Sequence, residues 1–258
     1  MKKNLKKPLL IAGIVFAAIV LLFGASFMPT LWLDNGSMHA ISGDWITVYY
    51  ETKEDAARDV FALAEEEAGR LTQKLGFSNK QDLKLYIYDK QSTFQTKKYG
   101  LIALLLNLNW YIGDNRGNTV ILASPGEAVT QKEYDRRKYA APHEMVHALG
   151  SILNPKMSLW LTEGAALYLS NGNPPDDLYD NSPVPTLRQL ETKNPVEFTN
   201  IGGYDFAHTY MEYLDKTYGW DQVLTLLKTG DYHTAFGTSK DMIYQEWITF
   251  LKDNYSKV

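Results

Sequence analysis

Residues 140–169 read AAPHEMVHALGSILNPKMSLWLTEGAALYL. Within that stretch His143-Glu144-Met145-Val146-His147 sets two imidazoles four residues apart. On an α-helix this spacing is one turn, so both rings reach a single point on the same face. Neutral imidazole is a good zinc donor, and catalytic zinc sites combine three protein ligands with a water. Glu144 lies about 100° around the helix, beside the two rings, where its carboxylate can take a proton from an attacking water. The pattern predicts a helix through 143–147 that carries a zinc site. Pro142 precedes His143. Proline fits a first helical turn and disrupts an interior, so either the helix starts near Ala141 or a longer one from Gln131 bends there.

Such a site needs a third ligand, and Glu163 within Trp160-Leu161-Thr162-Glu163-Gly164-Ala165-Ala166 is available. Gly150 and Asn154-Pro155 interrupt the first helix, which lets a second one return and present Glu163. Two histidines and a glutamate form a nitrogen and oxygen set that suits zinc and leaves a water position open. The chain contains no cysteine. Disulfides, thiolate ligands, cysteine nucleophiles and cysteine lipidation are therefore excluded, and a metal site must use histidine and carboxylate.

HEMVH followed by WLTEGAALYL resembles the gluzincin metallopeptidases, the group of thermolysin and the zinc aminopeptidases. Within it, the chain is most similar to compact bacterial proteins of the peptidase MA-like type. The likeness runs over roughly residues 45–251 and is specific between Ala140 and Leu214. It implies a two-lobed α+β fold, a mixed-sheet lobe followed by a helical lobe. It also implies zinc held by His143, His147 and Glu163, Glu144 as general base, and a peptide or protein as substrate. Gly203-Tyr204-Asp205-Phe206, with Tyr213-Leu214 and Trp220 behind it, is similar to the segment in which zinc aminopeptidases carry a catalytic tyrosine. That implies Tyr204 as hydrogen-bond donor to the oxyanion formed during attack. His208, one turn on, is the alternative, because thermolysin-like enzymes use a histidine in this role. With seventeen tyrosines in the chain, a packed ring is the competing reading of any one of them. His39 and His233 lack motif context and read as surface residues.

The chain departs from the aminopeptidases at the G-x-M-E-N segment, whose glutamate holds the substrate's free amino terminus. The strand expected in its place, Gly117–Ser124 (GNTVILAS), contains no acid. An endopeptidase is therefore expected, with extended substrate paired along an edge strand near Thr119–Ala123. Two further readings stay open: a zinc-bound interaction scaffold without turnover, and an aminopeptidase with a different amine-binding acid.

Upstream of the motif the sequence alternates. Trp45–Tyr50 and Leu83–Tyr88 read as strands, and Lys53–Gly76 as a helix with an apolar stripe through Ala57, Val60, Ala64, Ala68 and Leu71. The stripe also includes Phe61 and Leu63. Gln91–Tyr99 reads as a short helix, while Leu101–Leu108 is an apolar run of unassigned state. Trp110–Ile112 and Thr119–Ala123 read as a hairpin around a turn at Gly113–Asn118. Beyond Pro125 the pattern is helical. Strands with a helix, then a helical half, describe an α+β architecture with a cleft between two lobes.

At the amino terminus, Lys2, Lys3, Lys6 and Lys7 precede the uncharged run Leu9–Met28, LLIAGIVFAAIVLLFGASFM, and the first acid is Asp34. Twenty such residues span roughly 30 Å as a helix, the thickness of a bilayer's hydrocarbon core. The charge asymmetry predicts a cytoplasmic basic segment at 1–7, a transmembrane signal anchor at 8–28 and a stalk at 29–43. A single peptidase domain at 44–258 would then face outward. The alternative is a signal peptide cleaved near Phe27 that releases a secreted body, although this apolar run exceeds the ~7–15 residues usual for one. The whole chain holds 26 basic against 30 acidic side chains. Four of the basic ones lie in the first seven residues, so the exported body is more acidic still. That balance argues against nucleic-acid binding. Hydrophobic content of 45% and aromatic content of 13% exclude a disordered chain.

Overall fold

The structure, a computed structural model, describes residues 6–105 and 111–257. Residues 1–5, the last part of the apolar run at 101–108, and Trp110 lie outside the described residues.

The amino-terminal helix α1 (Lys6–Ser26) leads through a 3-10 turn at Met28–Thr30 into a five-stranded sheet. Its strands are β1 (His39–Ser42), β2 (Ile46–Tyr50), β3 (Leu83–Tyr88), β4 (Gly113–Arg116) and β5 (Thr119–Ala123), in the order β1-β2-β3-β5-β4. The centre is parallel and both edges are antiparallel. Helix α2 (Glu54–Lys74) makes the crossover that parallel β2 and β3 require. Its stripe of Ala57, Val60, Ala64, Ala68 and Leu71 is fully buried against Ile46, Val48, Leu85, Ile87, Val120 and Leu122 of the sheet. Helix α3 (Gln91–Tyr99) covers the opposite face, where Tyr88, Phe94, Ile121 and Ala123 form a second small core.

Two expectations change here. The segment 29–43 is not a free stalk. Its last residues form β1, and Leu33 and Met38 pack on the second core. Tyr88 Oη donates to the Leu33 carbonyl at 2.7 Å and Lys97 Nζ to the Trp32 carbonyl at 2.6 Å. The sheet thus begins at residue 39, and the mixed polarity of 29–43 reflects a strip with one buried and one wet side. The hairpin is also displaced. Gly113–Arg116, expected as its turn, is the edge strand, and the turn shrinks to Gly117-Asn118. An edge strand pairs on one side only, so its side chains escape the apolar alternation by which strands are recognised.

The second half is helical: α4 (Gln131–Leu153), α5 (Leu159–Leu169), α6 (Leu178–Asn181), α7 (Pro195–Asn200), α8 (Gly203–Tyr218), α9 (Trp220–Thr229), α10 (Tyr232–Phe236) and α11 (Lys240–Asn254). Trp160 is its hub, with the rings of Phe198, Tyr210 and Trp247 edge-on at 5.8–6.2 Å. Such contacts add to the area these large side chains bury. Helix α4 touches α2, β4 and β5 on one side and α5 on the other. It is the element that joins the sheet to the helical half. The molecule is a mixed α+β fold.

Helix α1 stands apart from this core. Its apolar window is wholly exposed and has a mean hydropathy of 2.6. A core helix of a soluble protein would be covered; this one is long and apolar enough to cross a membrane.

Candidate metal centre and cleft

Thr130 opens α4 by accepting a hydrogen bond from the Glu133 backbone at 3.2 Å. The helix then runs unbroken through Pro142, which settles the earlier choice in favour of the long helix from Gln131. Proline has no N–H, so the Lys138 carbonyl one turn back loses its usual partner. This interruption falls one residue before His143.

The His143 and His147 rings meet edge to face with centroids 4.6 Å apart, and their Nε2 atoms face each other at 3.0 Å. Ser158 caps α5 by accepting from the Leu161 backbone at 3.4 Å, and Glu163 follows one turn later. Glu163 Oε2 lies 3.5 Å from each Nε2. His143, His147 and Glu163 are the one group among the described residues whose ligand atoms converge in a way that can hold a metal ion.

The dimensions are compatible with zinc. Zinc–nitrogen and zinc–oxygen bonds of about 2.0–2.1 Å put neighbouring donors of a tetrahedron roughly 3.3–3.4 Å apart. The observed separations of 3.0, 3.5 and 3.5 Å straddle that value. A seven- or eight-oxygen calcium site would need many more donors than converge here. Burial opposes ionisation of Glu163, but hydrogen bonding to His143 and His147 outweighs it and holds the carboxyl well below the usual carboxylate range. That direction favours the carboxylate form of the third donor. His147 Nδ1 is buried without a protein hydrogen-bond partner among the described residues, so packing orients this ring.

Glu144 lies beside the three donors and is buried under β4 at Gly113, where a side chain would have to push the glutamate aside. Burial, with smaller contributions from Asp114 and Glu163, pushes its carboxyl up to about 8. Without a cation Glu144 thus holds its proton at neutral pH; a divalent charge on the neighbouring donors favours the carboxylate.

All four residues open on a cavity of about 180 Å3, completed by Tyr111, Gly113, Asp114, Asn115, Thr162 and Tyr204. A wider groove of about 660 Å3 continues past Tyr111, His143, Glu144 and Tyr204 to Tyr139, Leu167 and Gly172. A larger depression of about 870 Å3 among Thr186–Glu197 lies apart from these groups.

Of the two oxyanion candidates, Tyr204 borders the cavity, its ring edge-on to Phe198 at 5.0 Å. Burial raises its phenol above the ordinary value, so the hydroxyl stays protonated and able to donate. His208 packs away from the cavity, between Tyr168 at 5.6 Å and the Gly172 backbone. Trp160 and Leu161 are buried around the second ligand helix, and Tyr168 Oη donates to Asp215 at 2.8 Å.

Three side chains at the cleft escaped the sequence reading. Asp114 and Tyr111 line the cavity, and Lys98 of α3 pairs with Asp114 and donates to Tyr111 Oη at 2.8 Å. The acidic residue of Gly113-Asp114-Asn115 was a usable signal, hidden because the segment read as a turn. The edge strand at the cleft is β4, which corrects the placement of substrate along Thr119–Ala123: β5 is paired on both sides, by β3 and β4.

No protein-family model matches the sequence, and no curated protein matches it. Among solved structures, native yeast LTA4 hydrolase is similar, with a TM-score of 0.47 at 13% sequence identity. The match covers 83% of this chain and 36% of that one, so this chain spans little more than a third of that protein's length.

Proposed function

We propose that the chain is a zinc-dependent hydrolase of the gluzincin kind. More particularly, we read it as a membrane-anchored metallopeptidase that cleaves within extracytoplasmic proteins or peptides. The observation that carries this is the near-tetrahedral spacing of His143, His147 and Glu163 with a buried glutamate beside it.

His143, His147 and Glu163 would hold zinc, which would supply Lewis-acid stabilisation of developing negative charge. The chain's own residues do the rest. Glu144 accepts the proton of the attacking water and returns it to the leaving amine. Tyr204 donates its phenolic hydrogen to the oxyanion. The outer edge of β4 offers backbone groups to an extended substrate, which then lies across the cavity. The exposed helix α1 supports a single-pass anchor with a cytoplasmic amino terminus, the basic residues before it setting that orientation. Release after signal cleavage is the alternative for localisation.

The test uses the full chain in detergent. Zinc content is measured beside casein cleavage, for wild type and Glu144→Gln. One zinc per chain, with turnover lost in the variant and zinc retained, is the expected result. Undiminished cleavage by Glu144→Gln removes the general-base role. Stoichiometric zinc with no turnover on varied peptides establishes the scaffold reading instead.

Asp114 favours one further reading, an aminopeptidase, because it places a carboxylate in the cleft where a substrate ammonium group could pair. Lys98 already neutralises that carboxylate, which supports the endopeptidase. Amino-acid arylamides against amino-blocked peptides separate the two.

A further inference from the structure

Large apolar side chains are exposed on the described surface in two places besides α1 that belong together. One is Phe27–Trp32, directly after α1, with Leu31 and Trp32 both more than half exposed. The other is the 3-10 turn Leu101–Leu105, in which Ala103 is buried while Leu101, Ile102, Leu104 and Leu105 face outward, Leu105 at 85% exposure. They are far apart in sequence and adjacent in space. At Gly100 the backbone presses against α1 so closely that a β-carbon would lie 3.0 Å from Phe27 Cα and closer still to the Ser26 carbonyl oxygen. Lys97 Nζ, three residues earlier, donates to the Trp32 carbonyl.

The depth of this patch follows from the helix. The apolar stretch of α1 and the turn after it end at Thr30. Gly100, the residue before Leu101, lies against Ser26 and Phe27, so the turn starts beside the last turn of the span, about 5 Å inside its outer end at 1.5 Å per residue. Tyr99 directly precedes Gly100, and the exposed Trp32 is held by Lys97 through its carbonyl; tyrosine and tryptophan are the residue types that favour the boundary between lipid and water. In water, four exposed branched aliphatic side chains in five residues are a liability; in a bilayer they are an anchor.

We propose that Leu101–Leu105 is a second membrane contact, inserted in the outer leaflet beside α1, which seats the sheet directly on the lipid surface. This rests on α1 being a membrane span. It also deepens the proposed activity. Lys98, at the end of α3 and three residues before the turn, reaches both Asp114 and Tyr111 of the cleft wall, so the helix that leads into the turn also touches the cleft. The substrate class that follows is polypeptide held at the membrane surface: juxtamembrane segments and membrane-associated peptides.

The absence of native cysteine makes a direct test available. Single cysteines replace Leu104, Ile14 in α1 and Met242 on α11, each in the full chain. Each variant carries a nitroxide label and is reconstituted in vesicles of 3:1 phosphatidylcholine and phosphatidylglycerol. Accessibility to oxygen, which concentrates in lipid, is compared with accessibility to a water-soluble nickel chelate. The proposal expects the Leu104 label to follow the Ile14 label, oxygen-rich and shielded from nickel, while the Met242 label is open to nickel. A Leu104 label as open to nickel as Met242, with Ile14 still lipid-exposed, overturns the second contact and leaves the anchor standing. A Leu104 label shielded from both reagents also overturns it and indicates a protein partner. If the Ile14 label is itself open to nickel, the anchor reading fails and this proposal fails with it.

Discussion

A β-carbon on Gly113 would lie 2.7 Å from Glu144 Oε1 and 2.8 Å from its Cγ. The edge strand thus holds the carboxylate against the metal-binding donors through the lack of a side chain. The group in the way is the buried Glu144 side chain from Cγ outward, so Gly113→Ala has to push that side chain aside. We expect thermal stability to change by less than about 1 kcal/mol, within the ordinary range of tolerated substitutions. Turnover should nevertheless fall roughly a hundredfold, the scale lost when a catalytic group is misplaced by about an ångström. Parallel melting curves, zinc content and peptide cleavage check this. Full activity in the variant would show that Glu144 does not need its present position.

Metal should stabilise as well as activate. The three donors lie on α4 and α5, so an ion that binds only the folded chain ties the two helices together. At a hundredfold excess over its dissociation constant, that contributes about 2.7 kcal/mol. For a domain of this size the melting temperature should rise by roughly 5–10 °C. Calorimetry of chelated protein with and without added zinc measures it. His147→Ala should abolish the shift, since two donors remain.

Tyr204 and His208 can be separated by rate. Tyr204→Phe removes one hydroxyl from the cavity wall and keeps the ring against Phe198. Loss of an oxyanion donor costs about 10²–10³ in kcat, with KM and zinc content held. His208→Gln should leave kcat near wild type, because the ring faces Tyr168 and Gly172. The opposite pattern would assign the oxyanion role to His208.

His208 should instead appear in the acid sensitivity of the fold. Burial lowers its pKa below the ordinary 6.5, against the opposing pull of Glu212, the Gly172 backbone and Asp205. Between the folded value and 6.5 the unfolded chain binds more protons. Stability from this group is therefore complete above about 6.5 and is lost as pH falls through the folded value. Urea melts of metal-free protein from pH 7.5 to pH 5 should show a steeper acid loss in wild type than in His208→Gln. Equal slopes would mean that the histidine titrates alike in both states.

The helical spacing in HEMVH was legible because i and i+4 are neighbours by the geometry of one helix, whatever surrounds it, whereas the carboxylate in WLTEGAA, on a second helix, was singled out by resemblance to the gluzincins. The stripe on α2 and the alternation of β3 were legible because each repeats with the period of its own backbone, and α1 because it is an unbroken apolar run. Gly113–Arg116 was not, because an edge strand is recognised by its partner, and β4 declares itself only in register with β5. Asp114, Tyr111 and Lys98 come from two segments that meet across that edge, a contact without any sequence spacing. The path of residues 29–43 was hidden likewise: backbone carbonyls at Trp32 and Leu33 receive Lys97 and Tyr88 from more than fifty positions away.

By itself, then, the sequence determined the paired histidines on one helical turn, the histidine and carboxylate chemistry open to a metal site, and the apolar helix, while the convergence of Glu163 on the two rings belongs to the fold. Only the tertiary structure decided that Tyr204 rather than His208 borders the cavity and that β4 rather than β5 forms its edge. It alone decided that the chain after α1 docks on the sheet. Those choices depend on which faces pack together, and packing is settled by shape and burial over the whole chain.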